Sequence, residues 1–318
     1  MSITLQLADA QWQAEAGIGG PLANPFPNPD TVGNDKATAS PRAIVTHHPA
    51  SWRFPNPATP LGSSTYYSIR FSPAARRDDL AILAAWRHQV RAILGEVSDP
   101  GVARLKLQWW REDLEKPPGG RPNHPLSQAV RAVVSQQLLP LGPFLQIAEQ
   151  VEEEILRPRL LDLAALTRAC DADLGALFEL MAACQGLTGH EDIASVRALG
   201  TFCALVYRIR DSGWLARQGR APIPMDLLGP QNLTPEALRQ APQRARLPEW
   251  LPELAHQAQA LQSRSSRTRT LPFFARARAR ILASLLREIE ALSFQVADQR
   301  LSLTPPRKLW IAWRETRR

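Results

Sequence analysis

A chain of 318 residues is long enough for one large helical domain with a single core. Hydrophobic residues make up 44%, yet no stretch reaches the roughly 18 consecutive apolar residues of a membrane-spanning helix, which excludes an integral membrane domain of that kind. The formal net charge of +8 comes almost wholly from arginine and suits an anionic partner, although an arginine-rich composition without function would look the same.

Residues 1–62 are rich in Pro, Asn, Ala and Thr and show no helical apolar period. We expect a flexible Pro-rich extension here, followed by a helical domain over residues 63–318. The segment lacks the basic start and continuous apolar run of a secretory signal. The cysteines at positions 170, 184 and 203 form no CxxC pair. We therefore expect a cytoplasmic protein, either dissolved or attached at a membrane surface.

From Ser72 onward, amphipathic stretches alternate with Pro and Gly breakers. Pro73 predicts a helix that begins there, with Ser72 as its N-cap, and that runs to about Val97. Asp99-Pro100 begins the next helix. Further helices are predicted over residues 143–156, 162–185, 192–215, 251–263, 272–297 and 305–314. Because no alternating strand pattern of any length intervenes, the predicted fold class is all-α.

Several short motifs follow one another in a recognisable order. Residues 63–73 read Ser-Ser-Thr-Tyr-Tyr-Ser-Ile-Arg-Phe-Ser-Pro, and residues 106–115 read Lys-Leu-Gln-Trp-Trp-Arg-Glu-Asp-Leu-Glu. Arg-Asp at 210–211, Pro-Ile-Pro-Met-Asp-Leu-Leu at 222–228 and Arg-Lys-Leu-Trp-Ile-Ala at 307–312 complete the series. Together they resemble the bacterial branch of the squalene/phytoene synthase family. The resemblance implies a single orthogonal helical bundle of the isoprenoid synthase type around a central apolar cavity.

Enzymes of this family are prenyl transferases that join two isoprenyl diphosphates head to head, and Mg²⁺ neutralises the leaving diphosphate. Their first aspartate motif aligns with residues 88–96, where all three aspartates are gone, Arg91 takes a metal-binding position and Glu96 is the only acid left. In their second motif Asp211 survives, but Leu215 replaces its partner. Asp211 and Glu96 are therefore weak residual metal ligands, and Mg²⁺ is expected only if the protein is active.

The positions that match the family's phosphate-facing groups are better preserved. The candidates for holding a diphosphate or a lipid headgroup are Tyr66, Arg70, Arg76, Arg77, Arg210, Arg217 and Arg220. For the three arginines of the 70–77 stretch, an exposed helix start without any ligand is an equal alternative. The acidic run from Glu149 to Glu154 is interpreted as a solvated face with local ion pairs rather than as a replacement metal site.

The resemblance leaves two functions open. The first is a non-catalytic member that keeps the cavity for an isoprenoid or a lipid, or that acts as an assembly factor, similar to the family's mitochondrial complex I assembly factor. The second is an active prenyltransferase of the squalene, hydroxysqualene or phytoene type in isoprenoid biosynthesis. The partners would be an isoprenyl diphosphate or lipid-like ligand, a protein or a membrane surface. Nucleic-acid binding through the arginine-rich stretch at 263–269 is the least favoured alternative.

Overall fold

The computed structural model describes residues 52–116, 120, 122–156, 159–265 and 271–317. Within these ranges the regular structure is entirely helical, which confirms the predicted all-α class. No helix among them is both long and apolar enough to cross a bilayer. The α-helices are α1 (Ser64–Arg70), α2 (Arg77–Glu96), α3 (Pro100–Glu115), α4 (Pro125–Gln137), α5 (Gly142–Leu156), α6 (Leu163–Cys170), α7 (Ala176–Ala183), α8 (His190–Arg217), α9 (Met225–Leu228), α10 (Ala241–Arg244), α11 (Leu251–Ser265), α12 (Phe273–Ala291) and α13 (Pro305–Glu315).

Two early helices begin at capping residues that are visible in the sequence. The Ser63 hydroxyl accepts a hydrogen bond from the Tyr66 amide at 2.9 Å at the start of α1. At the start of α3, the Asp99 carboxylate accepts one from the Val102 amide at 2.8 Å. Each side chain satisfies an amide that has no partner within its own helix. The predicted start at Asp99-Pro100 is confirmed.

The predicted start of α2 at Pro73 is wrong. Residues 74–76 form a 3₁₀ turn, and the α-helix begins only at Arg77. The Ser72 hydroxyl donates to the Ser68 carbonyl at 2.9 Å, so it is engaged with the preceding helix and does not cap the following one. Serine side chains can bond to a carbonyl four residues earlier instead of capping, and the sequence does not distinguish the two uses.

The hydrophobic core surrounds α8, which packs against α11, α12 and the chain between α6 and α7. Trp86 of α2 meets Phe144 of α5 edge to face, with ring centroids 4.9 Å apart, and Phe178 of α7 meets Phe274 of α12 at 5.3 Å. These rings and Trp110 are fully buried. Trp86 and Trp110 are therefore core residues, because edge-to-face rings bury a large apolar area in a fixed geometry.

The backbone of α8 crosses closely over the segment that joins α6 to α7, and this contact fixes the position of that segment. A Cβ atom on Gly200 of α8 would lie 2.6 Å from the Leu174 carbonyl oxygen and 2.8 Å from the Cα atom of Gly175. The segment Asp171–Gly175 that α8 meets here is a π-helical turn between α6 and α7. Such turns widen a helix locally and are frequent at functional sites. This turn carries Asp173, which faces the site described below.

The predicted extension falls mostly on residues 1–51, which lie outside the described residues. Its last part, residues 52–62, packs on the bundle instead. The Asn56 side chain donates to the Ala81 carbonyl of α2 at 2.9 Å, and the Phe54 amide donates to the Asp78 carboxylate at 3.0 Å. Since Asn56 is also buried, the folded part begins before the boundary predicted at residue 62.

Candidate functional site

Arg91, in the part of α2 that aligns with the family's first aspartate motif, and Arg87, one turn before it, point their guanidinium groups into the bundle. Arg87 is buried and forms a bidentate pair with Asp173, with Nε to Oδ1 at 2.7 Å and Nη2 to Oδ2 at 2.6 Å. Arg91, one helical turn further on, contacts the same carboxylate at 3.1 Å. Two cations of α2 therefore share one carboxylate of the π-helical turn.

A second carboxylate completes the network from α5. Glu154 accepts from both terminal nitrogens of Arg91, at 3.0 and 3.2 Å, and from Arg220 at 3.0 Å. Burial alone would raise the pKa of the Glu154 carboxyl, but the positive charges of Arg91 and Arg220 lower it to about 2. The pKa of Arg91 is raised, because Asp173 and Glu154 outweigh the effect of its burial. Both groups are therefore fully charged at neutral pH.

Glu154 shows that the interpretation of the acidic run as a solvated face is wrong at one position. Glu149 and Glu153 are exposed, as expected, whereas Glu152 is partly buried and pairs with Arg111 of α3 at 2.7 Å rather than with a local partner. Glu154 turns inward instead. The run of four acids hides this difference, since only the helical register relative to α2 decides which carboxylate meets Arg91.

The surviving carboxylate of the second motif, Asp211 on α8, is also neutralised by arginines. Both oxygens of Asp211 are used by the neighbouring Arg210, at 2.8 and 2.9 Å, and Oδ1 also accepts from Arg300 at 2.7 Å. Arg210 is buried and lies over the ring of Tyr207 at 4.7 Å. The surviving aspartate of the motif is thus a counterion for arginine.

A cavity of about 80 Å³ lies between these groups and is lined by both motif regions. Arg208 of α8 also lines it, and its guanidinium donates to the carbonyls of Ala221 and Pro222. Burial lowers the pKa of Arg208, and Glu154 only partly offsets that effect. Arg87, Arg91, Arg208 and Arg220 face the cavity with only Glu154, Asp173 and Asp211 as acids. The lining is therefore rich in cations and suited to an anion.

These residues do not fit a magnesium ion. Magnesium prefers several unshared carboxylate or phosphate oxygens in octahedral geometry, whereas Asp173, Glu154 and Asp211 are each bound to arginines. No group of three His, Cys, Asp or Glu side chains in the described ranges could hold a metal ion. Glu96, the other predicted residual ligand, lies exposed at the end of α2 and does not line this cavity.

The predicted anion-binding residues separate into different places. Arg220 lines the cavity between the motifs, and Arg210 lies beside it as the partner of Asp211. Arg217, at the end of α8, donates to the Ala297 carbonyl at 2.7 Å. These three residues come from one stretch of chain but have different environments, because Arg210 and Arg217 lie on different turns of α8 and Arg220 lies beyond its end.

The candidates of the 66–77 stretch lie elsewhere. Tyr66, Arg70 and Arg77 line a second cavity of about 600 Å³, together with residues of α13, and this cavity shares no residue with the first. Arg76 lines neither cavity and lies 3.6 Å from Asp79. The structure therefore does not bring the seven candidates together at a single diphosphate.

Sequence reasoning missed Asp173, Arg87 and Arg300 as members of the central site. Asp173 gave only a weak signal, since Asp171 and Glu179 lie in the same helical stretch and the sequence does not show which of these carboxylates is buried beside a partner. Arg300 lies in an irregular segment 89 residues from Asp211, and no local pattern indicates that contact.

The fold and the site define an all-helical protein with two aligned motif regions on facing helices. The squalene/phytoene synthase family matches residues 59–307, and the chain belongs to this family. A phytoene synthase from Thermus thermophilus is 29% identical over 179 residues. That match covers 56% of this chain and 60% of the relative's length.

Two solved structures share the fold. A dehydrosqualene synthase in complex with ligand superposes with a TM-score of 0.66 at 17% identity, over 80% of this chain and 90% of its own. The squalene synthase HpnC from Alicyclobacillus acidocaldarius superposes with a TM-score of 0.57 at 17% identity, over 72% and 88%. The predicted isoprenoid synthase bundle is thereby confirmed.

Proposed function

We propose that this protein is a non-catalytic member of the squalene/phytoene synthase family whose central cavity binds the phosphate end of an isoprenoid or another lipid without a metal ion. The observation that carries the proposal is the ion-paired position of Arg91. It stands where the family has a metal-binding aspartate and is bound to Glu154 and Asp173.

Loss of catalysis follows from the charge at the motif positions. Ionising an allylic diphosphate requires that its developing negative charge be neutralised, and family enzymes use Mg²⁺ for this. A dication approaching this cavity would meet guanidinium groups and carboxylates that are already shared. Arginine could hold a bound phosphate by bidentate hydrogen bonds, but it does not tether the metal on which the family's chemistry depends.

Anion binding follows from the same arrangement. Arg208 has backbone carbonyls as its hydrogen-bond partners, and Arg220 shares Glu154 with Arg91. Burial lowers the pKa of both Arg208 and Arg220, so an arriving phosphate would relieve an unfavourable local charge. A volume of about 80 Å³ suits a headgroup rather than a whole prenyl chain, since sites for drug-sized ligands take about 300 Å³ or more.

The alternative, an active prenyltransferase, would need metal ligands from Glu96, Asp211 and the 149–154 run. Asp211 and Glu154 are each bound to two arginines, and Glu96 is outside the cavity. This arrangement favours the non-catalytic function. A protein partner, as for an assembly factor, is compatible with it.

The test of lost catalysis is incubation of the purified protein with farnesyl diphosphate, Mg²⁺ and NADPH, followed by extraction of products and measurement of released diphosphate. We expect neither a thirty-carbon hydrocarbon nor diphosphate release above that of a boiled sample. Appearance of squalene, dehydrosqualene or hydroxysqualene would overturn the proposal.

The test of anion binding is calorimetric titration with inorganic diphosphate, with and without EDTA. We expect binding that EDTA does not change, and the Arg208→Gln variant should weaken it about tenfold or more, because a charge-assisted hydrogen bond is lost. Arg264→Gln, at an exposed position on α11, is the matched control and should bind as the unchanged protein does. Binding that appears only with Mg²⁺ would contradict a metal-free site.

A further inference from the structure

The last helix, α13, presents tryptophan side chains to solvent. Trp310 is 54% exposed and Trp313 is 41% exposed, and Leu309 beside them is also exposed. The opposite face is anchored in the bundle by Ala312, which is fully buried. Positions three and four apart lie on one side of a helix, so the three exposed apolar residues form a single stripe. Tryptophans are large enough that leaving two of them in water is unfavourable unless something covers them.

Arginines surround this stripe. Arg314 lies over the ring of Trp310 at 5.3 Å, and Arg317 lies over the ring of Trp313 at 4.1 Å. Neither has a carboxylate partner within the part of the chain that the structure describes. The one acid on the helix, Glu315, is buried and turned toward α12. The outer face of α13 is therefore apolar and positive, and it carries no exposed negative charge.

The cavity of about 600 Å³ continues this surface. Leu309 and Pro305 of α13 form one wall, and Arg70 and Arg77 belong to the other. Leu61 at its rim is 69% exposed. Arg70 is exposed and forms no ion pair in the described ranges. Aliphatic and aromatic groups at an opening flanked by arginines match the two ends of a phospholipid, an acyl chain and a phosphate.

We propose that this surface, defined as the outer face of α13 with the adjoining cavity, docks onto a bilayer that contains anionic lipids. Tryptophan partitions to the boundary between headgroups and acyl chains, and arginine near the surface is attracted to anionic headgroups. A helix with apolar residues on one stripe and arginines beside it lies in the plane of that boundary rather than across it. The aliphatic Leu61 and Leu309 favour a lipid over a nucleic acid, since neither contributes to contacts with phosphates or bases.

The experiment is sedimentation of the full chain with vesicles of phosphatidylcholine alone or with about one third phosphatidylglycerol, at low and high salt. We expect binding to the anionic vesicles that weakens with salt. The double variant Trp310→Ala/Trp313→Ala should bind about tenfold more weakly, because it removes the two aromatic side chains that the proposed docking buries in the bilayer. Leu105→Ala is the matched control, since Leu105 of α3 is 71% exposed and lies on another helix.

A second variant keeps the test valid if the tryptophan changes disturb folding. Arg314→Gln/Arg317→Gln should weaken binding to anionic vesicles about fivefold for each arginine and should leave circular dichroism unchanged. Arg208→Gln in the central cavity should bind vesicles normally. Loss of vesicle binding through α13 is thereby distinguished from loss of anion binding in the central cavity. Vesicle binding that is indifferent to the α13 variants would overturn the proposal, as would retention on a nucleic-acid column without vesicle binding.

Discussion

Arginine has opposite surroundings in the interior of the bundle and on the last helix. In the central network, Arg87, Arg91 and Arg220 each contact a carboxylate at 3.0 Å or less. On α13, Arg314 and Arg317 contact tryptophan rings in solvent. A buried cation without its partner costs several kcal/mol, whereas an exposed pair contributes about 1 kcal/mol or less. One residue type thus supports the fold in the first region and is available to a partner in the second.

The largest expected effect comes from removing the carboxylate that two buried arginines share. Asp173→Asn should lower the free energy of unfolding by about 3–5 kcal/mol, because it leaves Arg87 and Arg91 without a common counterion. Urea denaturation measures the change. Glu236→Gln is the control, since Glu236 pairs with Arg159 at a site where both side chains are exposed, and its loss should cost about 1 kcal/mol or less. Equal losses of stability from the two variants would show that the interior pairs contribute no more to the free energy of unfolding than an exposed pair does.

The next largest effect is a loss of stability in mild acid through His88. Burial and the neighbouring Arg87 lower the pKa of His88 to about 4, from an ordinary value of 6.5. Between these two pKa values the unfolded chain binds more protons than the folded one. The contribution of neutral His88 to the free energy of unfolding is therefore complete above pH 6.5 and is lost as the pH falls toward 4. The loss should reach about 3 kcal/mol at most.

Urea denaturation between pH 7 and pH 4 measures this loss, and His88→Gln should flatten the dependence over that range. His190→Gln, at an exposed position on α8, should keep the dependence of the unchanged protein. A His88→Gln variant whose stability falls as steeply as before would assign the acid sensitivity to other groups.

A smaller effect should follow from Gly213→Ala in the second motif. A Cβ atom there would lie 2.1 Å from the Ala297 carbonyl oxygen and 2.3 Å from that of Val296. The backbone must shift, and Arg300, which contacts Asp211, follows directly in that chain segment. We expect a loss of about 1–3 kcal/mol in the free energy of unfolding.

The sign of the Gly213→Ala result is informative, because alanine in a helix is otherwise favoured by about 1 kcal/mol over glycine. Thermal and urea denaturation measure it. Gly229→Ala is the control, since no atom lies within 4 Å of its added Cβ, and it should change stability by about 0.5 kcal/mol or less. A stabilised Gly213→Ala protein would contradict the close approach of the two segments.

The smallest effect on stability should come from the surface arginines. Arg314→Gln/Arg317→Gln should change the free energy of unfolding by about 0.5 kcal/mol or less, since both side chains lie in solvent. Urea denaturation measures it beside Asp173→Asn. A loss comparable to that of Asp173→Asn would show that the α13 arginines are structural and would remove the contrast between the two regions.

The helical class and the loss of the aspartates could be predicted from the chain because both depend on local information. Helix periodicity, the cap at Asp99 and the identity of the residue at position 91 are all visible without tertiary contacts. The start of α2 could not be predicted, because the Ser72 hydroxyl can either cap the following helix or bond to the Ser68 carbonyl, and the sequence does not show which bond forms. The interior position of Glu154 was also missed.

The sequence by itself determined an all-helical member of this family in which most metal-binding aspartates are lost, Arg91 replaces one of them, and further guanidinium groups such as Arg210 stand in the motif regions. Only the tertiary structure decided that these groups are neutralised by Asp173, Glu154 and Asp211, and that the predicted phosphate-binding residues divide between two cavities. The physical reason is that ion pairing requires contact at about 3 Å between helices that are distant in the chain. Helical periodicity specifies which face is buried, but not which buried charges meet.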